Sequence, residues 1–273
     1  MSTEFAMPAP DQDIIAGSPE RFGYSWDNYA ELLSVHEQQF RRWTAPLTPD
    51  DWRDKSFLDG GCGMGRNSYW PLRYGAARGV AVDVDERTLT RARATLAPFP
   101  NAEVRRESIY EIAEENEFDI AFSIGVVHHL GEPERAVRRL VRAVKPGGMV
   151  LVWLYGREGN GWIVHLFNPL RVHFFSRLPL PLVHALSWPL TALLWLMLRL
   201  YFGTSPYLRQ LRGFSFRHLR AIVFDHMIPR IALYYTRDEA TALLKQAGLE
   251  DVEAHWTNKM SWAVRGRKPA LNQ

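Results

Sequence analysis

The chain has 273 residues, 47% of them apolar and 23% charged, enough apolar surface for a sizeable core and too much for a disordered chain. Its one cysteine, Cys62, excludes an internal disulfide framework and any metal site built from several cysteines. The net charge of +3 hides an asymmetry, because Arg157 to Arg220 holds eight arginines against one acid, Glu158.

Met1 to about Gly17 is proline-rich and lacks an apolar period, so it reads as a mobile tail. It has neither a basic start nor an apolar run for export, which makes the reducing cytoplasm the expected compartment. Phe22-Gly23-Tyr24-Ser25-Trp26 reads either as a lid or as an aromatic segment docked on the core. From Tyr29 to Trp43, Leu32, Leu33, Val35, His36 and Phe40 recur at helical spacing. From Ser56 to Tyr155 short apolar runs alternate with amphipathic ones. Strands are expected at Phe57-Leu58, Gly79 to Asp83, Ala102 to Arg105, Phe118 to Ile124 and Met149 to Leu154, and helices over Thr88 to Leu96 and Glu134 to Val144. That alternation predicts an α/β fold, a parallel sheet covered by helices on both faces, with ligands at the carboxyl ends of the strands.

After Gly156 the pattern breaks into an arginine-rich, aromatic and apolar stretch without strand periodicity, read as a helical insertion over 157–230. The sheet domain then occupies 18–156 and is completed by 231–273. In that last part Thr236 and Glu239 predict a capping box, Gly248 a helix stop, and Val252 to Trp256 and Ser261 to Arg265 two strands.

The run Phe57-Leu58-Asp59-Gly60-Gly61-Cys62-Gly63-Met64-Gly65-Arg66 puts four glycines within six residues directly after a strand, as a backbone-lined ligand loop requires. A dinucleotide fingerprint needs a further glycine three places after the second; Arg66 stands there, which weakens the pyrophosphate reading. Asp83 ends the next strand and is suited to accept hydrogen bonds from the two hydroxyls of a ribose. Cys62 reads as a small loop filler.

The loop DGGCGMG resembles the D-x-G-x-G-x-G motif of class I S-adenosylmethionine-dependent methyltransferases, in particular the quinone-biosynthesis and small-molecule subgroup. Val82-Asp83-Val84, Glu107-Ser108-Ile109, Phe118-Asp119 continuing to Ser123 and on to Leu130, and Val144-Lys145-Pro146-Gly147-Gly148 follow in that family's order. The resemblance implies a Rossmann-like, doubly wound, seven-stranded and mostly parallel sheet, with S-adenosylmethionine as cofactor and no metal. It assigns Asp59, Gly60, Gly61, Gly63 and Gly65 to the methionine portion, Asp83 to the ribose and Val84 and Ile109 to the faces of adenine. Glu107 and Ser108 fall near the adenine amino group, and Ser123 joins the cofactor-binding set.

The methyl group is expected to go to an oxygen or a carbon of the acceptor, and transfer to a hydroxyl needs a base. His128 and His129, after the fourth strand, are one candidate pair, and Asp225 and His226 are another. Between Arg177 and Arg199 lie 21 uncharged residues, long enough to span a bilayer, although Pro179, Pro181, Pro189 and His184 argue against spanning and place any helix start near Leu182. The insertion reads either as a cap over the acceptor pocket or as an interfacial element on an anionic membrane; both imply a hydrophobic or amphipathic acceptor. Nucleic acid is not expected, because the arginines are interleaved with aliphatic runs. A nucleotide-cofactor oxidoreductase and a non-catalytic, membrane-peripheral binding protein are the alternatives to methyl transfer.

Overall fold

A computed structural model describes residues 19–28, 32, 34–161, 163–200 and 206–270; the tail lies outside them, as do Tyr29 to Glu31 and Leu33 of the expected Tyr29–Trp43 helix. Two helices, α1 (Pro19–Asn28) and α2 (Ser34–Trp43), precede strand β1 (Ser56–Gly60). The chain then alternates through α3 (Arg66–Arg73), β2 (Arg78–Asp83), α4 (Glu86–Leu96), β3 (Ala102–Arg106), β4 (Phe118–Ile124), α5 (Pro133–Ala143) and β5 (Val144–Tyr155). The described insertion contains α6 (Asn168–His173), α7 (Leu180–Arg199), α8 (Pro206–Arg212) and α9 (Phe216–Met227). The chain closes with α10 (Arg237–Gln246), β6 (Glu250–Thr257) and β7 (Ser261–Arg267).

The seven strands form one sheet in the order β3-β2-β1-β4-β5-β7-β6. All pairings from β3 to β5 are parallel, and β7 runs antiparallel to both its neighbours. This is the mostly parallel, Rossmann-like sheet with a helical insertion. The two-residue side-chain period divides the core. Leu58, Val80, Val82, Val150 and Val152 face α5 and α10, while Phe57, Ala81, Phe122 and Leu151 face the other way onto Phe40, Trp52, Trp70 and Leu89.

Local chemistry sets the boundaries. Asp85 caps α4 by accepting from the N–H groups of Arg87 and Thr88, and the reciprocal Thr236–Glu239 box starts α10, which stops before Gly248 at φ +92°. Strand β5 starts at Val144, earlier than the sequence suggests. Between the pairs Phe118↔Val144 and Ile120↔Met149 it advances further than its partner, and the surplus bulges out at Gly147, φ +76°. The insertion leaves and returns at one point: Gly156 bridges to Tyr235, and Arg157 N–H donates to the Tyr235 carbonyl at 2.8 Å. Helix α7 begins at Leu180, not near Leu182, because Pro181 occupies its first turn, where no backbone donor is needed, and it continues through Pro189.

Candidate active site

The loop after β1 turns into α3 through Gly61, Gly63 and Gly65, with φ of +80°, +55° and +78°, a conformation that favours glycine. Gly61 and Cys62 N–H both donate to the Val82 carbonyl at 2.9 Å, pinning the loop against the end of β2. A Cβ at Gly61 would lie 2.5 Å from Val126 Cγ2, so side-chain-free backbone forms this wall. Asp83 Oδ2 accepts from Gly63 N–H at 2.9 Å, and Oδ1 accepts from Val84 and Asp85 N–H at 2.8 and 3.1 Å. One carboxylate therefore holds the loop after β1 to the loop after β2.

These loops form one end of a cavity of about 420 Å³ at the carboxyl ends of the parallel strands. Gly61, Gly63, Asp83, Val84, Glu107, Ser108 and Ile109 line it. Asp59, Gly60, Gly65 and Ser123 lie outside its lining. Asp59 shares the Phe57 face of β1, beneath α3, where it is 1% exposed and accepts from Ser68 Oγ at 2.6 Å; its influence on the cavity is electrostatic, not by contact. Ser123 Oγ donates to the Gly60 carbonyl at 2.7 Å and fastens the strand below the loop. A Cβ at Gly60 would lie 2.9 Å from Ile109 Cδ1, so Ile109 packs down on the strand end.

Burial raises the carboxyls at this end. Asp59 is pushed up to about 7 by desolvation, against the opposing bond from Ser68 and with some help from Asp83. Asp83 is raised by desolvation against its backbone donors, and Glu107 is raised by desolvation and then by Glu114. Burial also pushes the Cys62 thiol well up, which suits the loop-filler reading.

The opposite end is aromatic. Trp43, Trp153, Tyr155 and Phe214 line it together with His36, His218, His129, Asp225 and His226. Three of the four candidate catalytic residues therefore reach the cavity. His128 does not: it was expected on the rim, but it is fully buried behind the wall, its ring 4.0 Å from Tyr155, and desolvation holds it well below the usual imidazole range. His129 Nδ1 lies 2.7 Å from the Ile231 carbonyl and His226 Nδ1 lies 2.8 Å from the Ile222 carbonyl. A carbonyl only accepts, so each Nδ1 carries the proton and each Nε2 keeps its lone pair. Burial lowers both rings, His129 to about 3, so both are neutral at physiological pH.

Helix α1 reaches along the cavity from the loop after β2 to His129. Phe22 lines the cavity 5.0 Å from the His129 ring, Arg87 Nη2 donates to the Glu20 carbonyl at 2.7 Å, and the Gly23 backbone lies against Asp85. The side chains of Ser25 and Trp26 lie outside the described residues. Sequence reasoning missed Trp153 and Tyr155, although their alternate spacing at the end of β5 marks them as neighbours on one face. It also passed over His36 and His218, for which the sequence offers no signal. Among the described residues no His, Cys, Asp and Glu group has a metal-binding arrangement.

A glycine loop after β1, an acid ending β2 and a cavity at the strand ends, on a sheet whose β7 alone is antiparallel, together define the class I methyltransferase fold. Residues 58–152 match the family described as "Methyltransferase domain". This segment is thus a class I, S-adenosylmethionine-dependent methyltransferase domain. A ubiquinone biosynthesis O-methyltransferase from Neisseria meningitidis is 32% identical over 129 residues, 46% of this chain and 54% of the relative. A tRNA U34 carboxymethyltransferase from Idiomarina loihiensis is 28% identical over 41% of this chain and 36% of the relative. The chain thus spans about half the length, or less, of these curated relatives. Among solved structures, the 1,6-didemethyltoxoflavin-N1-methyltransferase of Burkholderia thailandensis shares the fold at TM-score 0.60 and 17% identity, covering 97% of this chain and 92% of that one.

The site fits the family's cofactor. Burial raises three acids at the loop end, and a sulfonium with an ammonium group would supply the positive charge they lack. The Gly61 wall accepts a ligand pressed against backbone, and the three donors to Asp83 leave one of its roughly four acceptor positions open.

Proposed function

We propose that this chain transfers the methyl group of S-adenosylmethionine to a hydroxyl on a hydrophobic or amphipathic, lipid-like acceptor, in the cytoplasm and at a membrane surface. The observation that carries this reading is the pair His129 and His226. Both are neutral imidazoles with Nδ1 tied to a carbonyl, and both line the aromatic end of a cavity whose other end is the glycine loop.

When bound, the cofactor supplies an electrophilic methyl group on sulfur. Asp83 would hold its ribose, the Gly61–Gly63 backbone its amino-acid end, and Val84, Glu107, Ser108 and Ile109 its adenine. The remaining task of the chain is alignment for an in-line displacement and removal of the acceptor proton. Trp43, Trp153, Tyr155 and Phe214 supply apolar and aromatic surface to orient the acceptor and keep water out. His129 Nε2, on the loop following β4, takes the proton, with His226 and Asp225 on the facing helix α9. An aromatic wall suits a lipophilic acceptor better than a polynucleotide, whose backbone calls for an open basic groove.

The test is incubation with methyl-labelled donor and, separately, lipid extract, aqueous metabolites and RNA. Label is expected in the lipid extract. His129→Asn is expected to lower turnover by roughly 100-fold or more, the usual contribution of a general base, while leaving S-adenosylhomocysteine affinity unchanged. Because His129 is lowered to about 3, turnover should show no loss from its protonation between pH 8 and 5. Label in RNA alone, or wild-type turnover in His129→Asn, would contradict the proposal.

A further inference from the structure

Helix α7 is built inside out. The positions it buries are Val183, Ser187, Thr191 and Leu198, so two of its four buried residues carry hydroxyls. These are satisfied locally: Thr191 Oγ1 donates to the Ser187 carbonyl at 2.6 Å, Ser187 Oγ donates to the His184 carbonyl at 2.7 Å, and Arg220 of α9 donates to Ser187 Oγ and the His184 carbonyl at 3.1 and 2.9 Å. Outward it presents Leu182, Trp188, Leu193, Leu196 and Met197, each between 46% and 59% exposed, followed by Leu200 at 68%. At about 1.5 Å rise per residue this apolar strip is roughly 27 Å long. Leu170 and Phe174, each 49% exposed, add further apolar surface from α6 and the residue after it. A patch of this extent on a soluble surface marks a contact site.

The charge around it selects the occupant. Between Gly159 and Phe224 the sequence has seven arginines and no aspartate, glutamate or lysine. Arg177, Arg199, Arg209, Arg212 and Arg217 are exposed, and the Arg199 guanidinium lies 4.4 Å from the centre of the Trp195 ring. A second copy using the same face would bring this positive rim against itself. A bilayer with anionic headgroups offers hydrocarbon for the strip and negative charge for the rim. Although α7 is long and apolar enough to cross a bilayer, its hydrogen bonds to α9 hold it along the domain surface.

We infer that the outward face of α7, with its arginine rim, docks the protein on an anionic membrane surface, lying in the interface without crossing it. This adds the docking surface to the lipid-like acceptor proposed above. Helix α9, which packs on α7, also supplies Ile222, Asp225 and His226 to the cavity wall, so docking brings that wall close to the lipid.

The experiment is flotation of the full chain with vesicles of phosphatidylcholine, with and without phosphatidylglycerol, at low and high salt. It uses no methyl donor, so its failure is distinguishable from failure of the methyl-transfer reading. The protein is expected to float with anionic vesicles at low salt, to stay behind with neutral ones, and to be released by salt. Leu193→Glu with Met197→Glu should abolish flotation while the circular dichroism spectrum stays unchanged. Arg177→Gln and Arg212→Gln should each weaken the partition by roughly fivefold. The inference is overturned if the wild type stays in solution with anionic vesicles at low salt, or if the glutamate pair leaves flotation intact. It is also overturned if that pair dissolves a dimer that vesicles never captured.

Discussion

Asp83→Ala is expected to weaken S-adenosylhomocysteine binding by about 100-fold or more, read by titration calorimetry. The carboxylate does two jobs at once. It accepts from Gly63, Val84 and Asp85 N–H, which fixes two loops against each other, and it keeps an acceptor position facing the cavity. Each hydrogen bond to a charged group contributes about 1.5–3 kcal/mol, so losing the contact to ligand together with the loop support exceeds the roughly 2.7 kcal/mol that 100-fold requires. Affinity within threefold of wild type would show that the loop holds its ligand without this acid.

Acidification is expected to unfold the protein well before its carboxylates are all protonated. His36 and His129 are lowered to about 3 and His128 well below its ordinary value, each mainly by burial; the charge of Arg66 then adds to the effect at His36, that of His129 to the effect at His128, and that of Arg171 to the effect at His129. In the unfolded chain these rings take up protons near pH 6.5, whereas in the native state His36 and His129 refuse them until about pH 3 and burial holds His128 well below its ordinary value too. The stability they permit is therefore fully present above pH 6.5 and falls as the pH drops, by about 1.4 kcal/mol per pH unit for each ring. Asp59 works in the opposite direction, because its raised native pKa makes the folded state hold a proton that the unfolded state releases down to about pH 4. With Asp83 and Glu107 raised as well, three acids oppose six lowered imidazoles, His36, His128, His129, His184, His218 and His226, so the balance is a loss of stability as the pH falls below 6.5. Denaturant titrations at stepped pH check this, and His128→Phe should shift the acid midpoint downward. Stability that stays level from pH 7 to 5 would contradict it.

The glycine-loop end of the cavity was legible in the sequence because its lining stands at strand ends, in chain order: the glycines after β1, Asp83 closing β2 and Glu107 to Ile109 after β3. Strand periodicity and turn chemistry suffice to place such residues. Asp59 was misplaced as a ligand contact because a motif marks a position and not the face of the strand it occupies. The two-residue period puts it with Phe57, under α3 and against Ser68. His128 and His129 differ for a related reason: their rings lie only 4.2 Å apart, and only the packing of Tyr155 and Ile231 decides which of them reaches the cavity. The acceptor end was the least legible. His36, Arg66 and His218 come from α2, α3 and α9, with Arg66 Nη1 3.4 Å from His36 Nε2 and the two imidazole rings 5.8 Å apart. Tertiary packing alone brings them together.

The insertion shows the same division between composition and geometry. Its arginines, its uncharged run and its lack of strands could be read directly, and its helices follow. The orientation of α7 could not, because apolar residues stand all round that helix and only its contact with α9 shows which side is buried.

The claim on which the rest depends is that the strand-end cavity is shaped for an adenosyl sulfonium and not for a dinucleotide. Titration calorimetry of the unaltered protein with S-adenosylhomocysteine and, in parallel, with NAD tests it most directly. The geometry predicts saturable binding of S-adenosylhomocysteine at one site per chain, displaced by S-adenosylmethionine, and no binding of NAD; heat from NAD alone, or from neither ligand, would contradict it.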